Sequence, residues 1–120
     1  MAMRTFDVDP ILEEERGAYA EHLLSGETIE IGFQSGRGTI LFTDRRIVTV
    51  QLQAVISERI ETTSISYRAV RMFSLNRGVG GEGRSEFRIT LEFEPHPIHM
   101  RANPGTDFGP LQALLAERIG

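Results

Sequence analysis

The sequence contains neither cysteine nor lysine, and these two absences exclude several kinds of chemistry at once. Without cysteine the chain has no disulfide, no thiolate nucleophile and no cysteine-based zinc site. Without lysine it has no Schiff-base chemistry and no P-loop lysine, and its 13 basic side chains are all arginines. It also lacks an apolar run near the roughly 20 residues of a membrane-spanning helix. Acidic residues follow Phe6 where a signal peptide would be apolar, so we expect a cytoplasmic protein.

The composition is that of an ordinary globular domain. A chain of 120 residues with 40% hydrophobic and 25% charged residues is most simply one domain, spanning residues 1–120. Nucleic acid and anionic membranes attract summed positive charge, whereas the net charge here is -4, so we expect no nucleic-acid partner. A local group of arginines can still attract an anion despite this net negative charge.

The chain is organised around the stretch Leu41–Val50. Apolar residues flank a short polar corner on both sides, a pattern typical of one strand ending and the next beginning. Asp44 lies in the corner, where a carboxylate can hydrogen-bond its own turn backbone. We therefore predict two strands joined by a tight polar corner.

The N-terminal part predicts a helix after a loosely held arm. We assign residues 1–8 to the arm and 9–24 to the helix, because Asp9 can cap free N–H groups and Pro10 suits the first helical position. Gly26 then supplies a left-handed stop. Three residues share one face of this helix at spacings of seven and four: Leu12, Tyr19 and Leu23.

From Thr28 the apolar period changes from helical to two, which predicts a sheet over residues 28–102. The clearest strand alternates without a miss, and its inward residues are Phe87, Ile89, Leu91 and Phe93. A break near Gln53–Ala54 precedes a polar fourth strand over 56–66, which we assign to a sheet edge. A final amphipathic helix is predicted over 107–119.

The predicted fold class is mainly β with α. About seven antiparallel strands form a strongly bent sheet or partly open barrel, because such a sheet must curl to hide its apolar face. The C-terminal helix caps this sheet, and the N-terminal helix precedes it.

This architecture and two segments resemble bacterial pleckstrin-homology (PH) domains. The family's segment L-F-T-(N/D)-(K/R)-R-(L/I)-(I/V) is similar to Leu41-Phe42-Thr43-Asp44-Arg45-Arg46-Ile47-Val48. Its segment S-I-P-Y-x-x-I resembles Ser64-Ile65-Ser66-Tyr67-Arg68-Ala69-Val70, with Ser66 where proline is common. The helix ending in Leu23-Leu24-Ser25-Gly26-Glu27 fits the stand-alone members, formerly a domain of unknown function. The resemblance covers essentially the whole chain, and it implies symmetric homo-oligomers with no established activity or ligand.

Two patterns that suggest ligand chemistry lack the context that this chemistry needs. The stretch Gly78–Gly83 satisfies G-x-G-x-x-G, but strands precede and follow it, whereas a dinucleotide site needs a helix after the motif. His96 and His99 are three positions apart, and side chains at that spacing in a strand point to opposite faces of the sheet. We therefore expect no metal site. No nucleophile and base stand together, so we expect no enzyme and no cofactor.

The arginines near the first hairpin give an alternative function. Eukaryotic PH domains often bind phosphoinositide headgroups there through clustered basic residues, so the resemblance implies binding of an anionic lipid headgroup or small anion. The candidate anion-binding residues are Arg37, Arg45 and Arg46. The competing interpretation is that Arg45 and Arg46 anchor the corner through Asp44 or solvent.

We favour a non-enzymatic PH-like domain that self-associates and presents a binding surface to another macromolecule, such as a protein. The candidate self-association residues are Leu12, Tyr19 and Leu23, together with exposed sheet edges. The same helix can equally cap its own sheet, and the sequence leaves that choice open. An enzyme with a cryptic pocket is the third hypothesis.

Overall fold

The computed structural model describes residues 5–36, 38–54, 58–78, 83–92 and 94–119. The described strands form two sheets, one of four strands and one of five. They do not close into a single barrel, so the expectation of one bent sheet or partly open barrel is corrected to two sheets. Contacts divide the chain into two units. The first unit joins Met1–Asp9 to Tyr67–Gly120, and the second is Pro10–Ser66.

The first unit contains the four-stranded sheet. Its strands are β1 (Thr5–Asp7), β7 (Val70–Asn76), β8 (Ser85–Leu91) and β9 (Ile98–Ala102). Their order is β1-β9-β8-β7. β1 is parallel to β9, and the other neighbours are antiparallel.

Strand β8 confirms the alternation that the sequence predicts. Its buried side chains are Ser85, Phe87, Ile89 and Leu91, while the residues between them are more exposed. The ring of Phe87 stacks on Phe73 at 5.9 Å and lies 5.5 Å from Phe108. Strand pairing ends at Leu91, and Phe93 lies outside the described residues.

The predicted C-terminal helix is confirmed as α1 (Gly109–Ile119). Asp107 caps its start, because Asp107 Oδ1 accepts a hydrogen bond of 2.8 Å from Gly109 N. Its buried side chains are Leu111 and Leu115.

The prediction of a loosely held arm is wrong for residues 5–8. Phe6 is buried opposite Met100, and Val8 N donates to Arg101 O at 2.8 Å. The short alternation of Phe6 and Val8 is enough to dock an edge strand on β9. Residues 1–4 of the predicted arm lie outside the described residues.

The second unit contains the five-stranded sheet. Its strands are β2 (Asp9–Pro10), β3 (Ile29–Ser35), β4 (Gly38–Thr43), β5 (Ile47–Ala54) and β6 (Glu58–Ile65), in the order β2-β3-β4-β5-β6. The predicted break near Gln53–Ala54 agrees with the end of β5 at Ala54, and residues 55–57 before β6 lie outside the described residues.

Strand β4 is buried on both faces at its centre. On one face Leu41 joins a cluster with four other buried residues: Ile11, Ile29, Val48 and Val50. On the other face Phe42 meets Phe33 edge-on, with ring centroids 6.3 Å apart. Gly38 allows β4 to approach β5, since a Cβ there would lie 2.4 Å from Val50 O.

The predicted helix over 9–24 is instead a shorter 3-10 helix, Glu13–His22. Its half-buried residues recur every third position, at Arg16, Tyr19 and His22, which is the period of a 3-10 helix rather than an α-helix. Arg16 Nη2 donates to Glu30 O at 2.8 Å, and Tyr19 Oη donates to Gln34 Oε1 at 3.0 Å. These bonds to β3 favour the tighter winding.

Candidate functional site

The densest polar network surrounds the Glu27 carboxylate, whose side chain is 0% exposed. Arg46 donates to it twice, from Nε to Oε2 and from Nη2 to Oε1, both at 2.9 Å. This paired geometry is the strong form of an arginine–carboxylate contact. Arg46 also donates to Ser64 Oγ and, at 3.2 Å, to His22 O. One guanidinium therefore joins the corner, the 3-10 helix and β6.

Thr43 organises the corner that follows β4. Its Oγ1 accepts hydrogen bonds from Arg45 N at 3.1 Å and Arg46 N at 3.0 Å, and it donates to Glu27 Oε2 at 2.6 Å. Sequence reasoning gave the turn-bonding role to Asp44. The Asp44 carboxylate accepts from Thr28 N at 2.9 Å, which fastens the corner to the start of β3.

These contacts fix the charge of the corner. The hydrogen bonds from Arg46, and the smaller contributions of Leu24 N–H and the Thr43 hydroxyl, outweigh burial and lower the pKa of Glu27 from 4.5 to about 2. The same pairing raises the pKa of Arg46. Both groups are therefore charged at neutral pH. The network stabilises the fold by joining the corner to the 3-10 helix and β6.

The three predicted anion-binding arginines have different surroundings. Arg46 is engaged by Glu27, Ser64 and His22, which supports the interpretation that it anchors the corner. The side chain of Arg45 is 48% exposed, and its Nη1 donates to Ser25 O at 3.2 Å. Arg37 lies outside the described residues, so the anion site stays a prediction.

Strand β6 is an edge of the five-stranded sheet, as its polar sequence predicts. In the described part of the chain it pairs only with β5. Side chains from Arg59 to Ser64 are exposed. The outer N–H and C=O groups of such a strand can pair with another strand.

A pair of exposed apolar residues lies on this edge. Leu52 of β5 and Ile60 of β6 are directly opposite, and they are 44% and 67% exposed. They continue the face of Val48 and Val50, which Tyr19 and Leu23 help to cover. Sequence reasoning missed this pair, although the alternation from Val48 to Leu52 was a usable signal.

The three predicted self-association residues also differ in how far they are buried. Tyr19 and Leu23 are partly buried and pack against the cluster around Leu41 in their own chain. Leu12 is 55% exposed. Tyr19 of the 3-10 helix and Leu23 directly after it therefore cover the sheet of their own chain.

The histidines do not assemble a metal site. His99 Nε2 lies 2.5 Å from Glu86 Oε1, and its Nδ1 lies 3.0 Å from Thr5 Oγ1. His96 is an exposed residue of the turn before β9. Among the described residues no group of three or more histidines or carboxylates could hold a metal ion.

Comparison with known proteins agrees with this architecture. The family model described as bacterial PH domain matches residues 5–119. A protein with a PH domain from Shewanella loihica has a TM-score of 0.75 and 16% identity over 96% of this chain and 99% of its own. A PH domain from Shewanella amazonensis has a TM-score of 0.67 and 19% identity over 91% of this chain and 98% of its own.

A curated relative is the uncharacterized protein YjqA of Bacillus subtilis. It is 34% identical over 72 residues, which are 60% of this chain. The matched part spans 58% of the length of that relative.

The chain belongs to the bacterial PH domain family, as the match over residues 5–119 shows. PH-like domains are generally non-enzymatic and mediate interactions with proteins or lipids, so the family supports a binding or scaffold role. Of the helices in the described ranges, none is both long and apolar enough to cross a membrane.

Proposed function

We propose that this chain is a non-enzymatic PH-like domain that self-associates by pairing β6 with β6 of a second copy. The combined surface then serves to bind another macromolecule. The proposal is carried by Ile60, an apolar residue that is 67% exposed on a strand at the edge of its sheet. An exposed apolar residue beside unpaired backbone groups is what strand addition requires.

Charge complementarity selects the register of this pairing. When two β6 strands run antiparallel about a two-fold axis at Ile60, Arg59 lies opposite Glu61 of the second copy, and the contact occurs twice. Opposite charges directly across a strand pair contribute about 0.2–1 kcal/mol each. A carboxylate accepts several hydrogen bonds, so Glu61 keeps its contacts within its own chain.

Charge exchange tests this register. Arg59→Glu alone and Glu61→Arg alone place like charges opposite each other at both positions, so each variant should shift to monomer. The double variant R59E/E61R restores opposite charges and should restore the assembly. Light scattering behind a sizing column measures all three masses. Single variants that keep the wild-type mass, or a double variant that stays monomeric, would argue against β6 pairing in this register.

A matched pair of variants distinguishes an interface at the β6 edge from an interface at the start of the 3-10 helix. Ile60→Ser removes the apolar contact of β6, and Leu12→Ser removes the exposed candidate residue that precedes the 3-10 helix. We expect dissociation with I60S and an unchanged mass with L12S. The reverse result would move the interface to Leu12.

The alternative function is recognition of an anionic headgroup or small anion by Arg45. It is supported by the half-exposed side chain of Arg45 in the corner between β4 and β5, which lies at the other end of β4 from Gly38 and the first hairpin. Flotation with acidic and neutral liposomes at low salt tests it. Equal binding to both vesicle types, or no loss of acidic binding in Arg45→Gln, would count against this alternative.

A further inference from the structure

A second open sheet edge lies in the first unit, on strand β7 (Val70–Asn76). Within the described ranges β7 pairs with β8 on one side and with no strand on the other. Alternate residues of an edge strand direct their N–H and C=O groups away from the sheet, where an added strand can bind them. The β6 pairing proposed above uses no residue of β7, so this edge is a separate candidate for a binding surface.

The part of β7 that suits strand addition runs from Met72 to Asn76. Its pairing with β8 shifts register between Val70 and Met72 and is continuous from Met72 to Asn76. An irregularity of this kind bends the strand and discourages pairing at that point. An added strand therefore pairs with the regular part, and Arg71 lies at one end of that part.

Both faces of this regular part carry apolar side chains that an added strand would cover. Phe73 is half-buried, and its ring stacks on the buried Phe87 at 5.9 Å. Leu75 is also half-buried and lies opposite Phe87. On the other face Met72 is 61% exposed. Apolar side chains on the last strand of a sheet lose more of their exposed area when another strand is added beside them.

The charge around β7 selects the chemistry of the partner. In a chain of net charge -4, segment 67–78 has no acidic residue and three arginines: Arg68, Arg71 and Arg77. Arg71 is exposed and makes no ion pair among the described residues. The Glu86 carboxylate of the neighbouring β8 is held by His99 Nε2 at 2.5 Å. An acidic partner therefore complements this edge.

We propose that the open edge of β7 binds an extended acidic segment of another protein, which pairs antiparallel with Met72–Asn76. Acidic residues near the two ends of the segment lie against Arg71 and Arg77, and apolar residues between them cover Phe73 and Leu75. Antiparallel pairing is the more stable direction per residue. Such binding is one form of the macromolecular recognition proposed above, on which it rests, and it needs no pairing of β6.

A designed peptide tests the β7 edge in the full chain. The probe is the capped peptide Glu-Thr-Val-Thr-Val-Thr-Glu, whose residue order is the same in both directions, so it suits either strand direction. Amide NMR should show saturable shifts along Met72–Asn76. Hydrogen exchange should slow at alternate amides of this stretch, because only every second N–H faces the added strand. No saturable shift, or shifts without slower exchange on β7, would overturn the proposal.

Two matched peptides separate backbone pairing from charge. In the first, proline replaces the central threonine and one adjacent valine, which removes an N–H that faces β7 whichever residues are hydrogen-bonded. In the second, lysine replaces both glutamates and places like charges against the arginines. Each should bind at least about tenfold more weakly than the parent peptide. A proline peptide of undiminished affinity would contradict strand addition, and a lysine peptide of undiminished affinity would contradict an acidic partner.

Matched variants of the protein locate the charge contact. Arg71→Gln should weaken binding of the parent peptide about two- to fivefold, the size expected for one exposed ion pair between strands. The control is Arg88→Gln, which removes an exposed arginine from β8, an interior strand of the same sheet. Its affinity for the peptide should be unchanged. Equal losses in both variants would mean that the general charge of this sheet, rather than the β7 edge, attracts the peptide.

Further measurements distinguish other occupants of the edge. Shifts of the β7 amides on dilution without peptide would assign the edge to a second copy of the chain. Flotation with acidic liposomes that is lost in Arg71→Gln would assign it to a membrane, and either result would overturn the proposal. Arg59→Glu on β6 should bind the peptide as the wild type does, so a failure of β6 pairing leaves this test intact. Loss of peptide binding in Arg59→Glu would contradict a site that is independent of β6.

Discussion

The corner after β4 and the edge strand β6 use the same residue types in opposite ways. In the corner, the buried Glu27 carboxylate accepts hydrogen bonds from Arg46, Thr43 and the backbone of Leu24. On β6, Arg59 and its neighbours point into solvent beside an exposed Ile60. Arginine and glutamate thus stabilise the fold where they are buried together, whereas the side chains of the edge strand are exposed to solvent.

The physical basis of this difference is desolvation. Removing one member of a buried ion pair leaves the other charge without water or partner, whereas an exposed charge is solvated in either case. Substitutions in the corner should therefore act on stability, and substitutions on β6 should act on association. The loss in the free energy of unfolding should therefore decrease from Glu27 to Thr43 and be smallest at Arg59.

Glu27→Ala should have the largest effect. It leaves the half-buried Arg46 guanidinium without its carboxylate, so we expect the free energy of unfolding to fall by about 3–5 kcal/mol. Urea unfolding followed by circular dichroism measures the change. Glu14→Ala, an exposed glutamate of the 3-10 helix, is the matched control and should change stability by less than about 0.5 kcal/mol. Similar losses in both variants would contradict the assignment of the corner as the structural pair.

The pH dependence of the free energy of unfolding should show the titration of Glu27. Its pKa is depressed in the folded state, so its stabilisation is complete above the unfolded value of 4.5 and is lost as the pH falls towards about 2. Since one pKa unit corresponds to 1.36 kcal/mol, the loss over this window is about 3 kcal/mol.

Glu27→Gln isolates this contribution from the other carboxylates. The stability difference between wild type and E27Q should shrink between pH 5 and pH 2.5, as measured by urea unfolding at each pH. A difference that stays constant over that window would show that Glu27 does not titrate as the geometry requires.

Thr43→Val should have an intermediate effect. The replacement keeps the shape but removes the acceptor of Arg45 N and Arg46 N, so we expect a loss of about 2 kcal/mol in the free energy of unfolding. The control is Thr49→Val on β5, a residue that is 6% exposed and whose hydroxyl has no hydrogen bond within the described ranges. Its stability should change by less than about 1 kcal/mol. Equal losses would mean that the Thr43 hydroxyl does not organise the corner.

Arg59→Glu should have the smallest effect on the fold. The residue is exposed on an edge strand, so the free energy of unfolding of the isolated chain should change by less than about 0.5 kcal/mol. Thermal or urea unfolding at a concentration where the chain is monomeric checks this. A large loss would show that the edge residues also stabilise the fold, and the division between corner and edge would fail.

The parts of the fold that sequence reasoning predicts well are those with a local pattern. The alternation of Phe87, Ile89 and Leu91 gave β8, and the polar run around Arg59 gave an edge strand. The corner motif between Phe42 and Ile47 also gave a strand turn at the right place.

The parts that it missed depend on contacts between distant segments. The partner of Arg46 is Glu27, 19 residues away, and no local pattern pairs them. Leu52 and Ile60 become neighbours only through the register of β5 and β6. The N-terminal segment satisfied an α-helical spacing, but its bonds from Arg16 and Tyr19 to β3 follow the period of a 3-10 helix.

The absolute mass in solution tests the proposed self-association most directly. Light scattering behind a sizing column, at two protein concentrations, should give about twice the monomer mass of 13.5 kDa for the wild type and 13.5 kDa for Arg59→Glu. A wild-type mass of 13.5 kDa at both concentrations would contradict self-association, and an assembly unaffected by Arg59→Glu would contradict the role of β6.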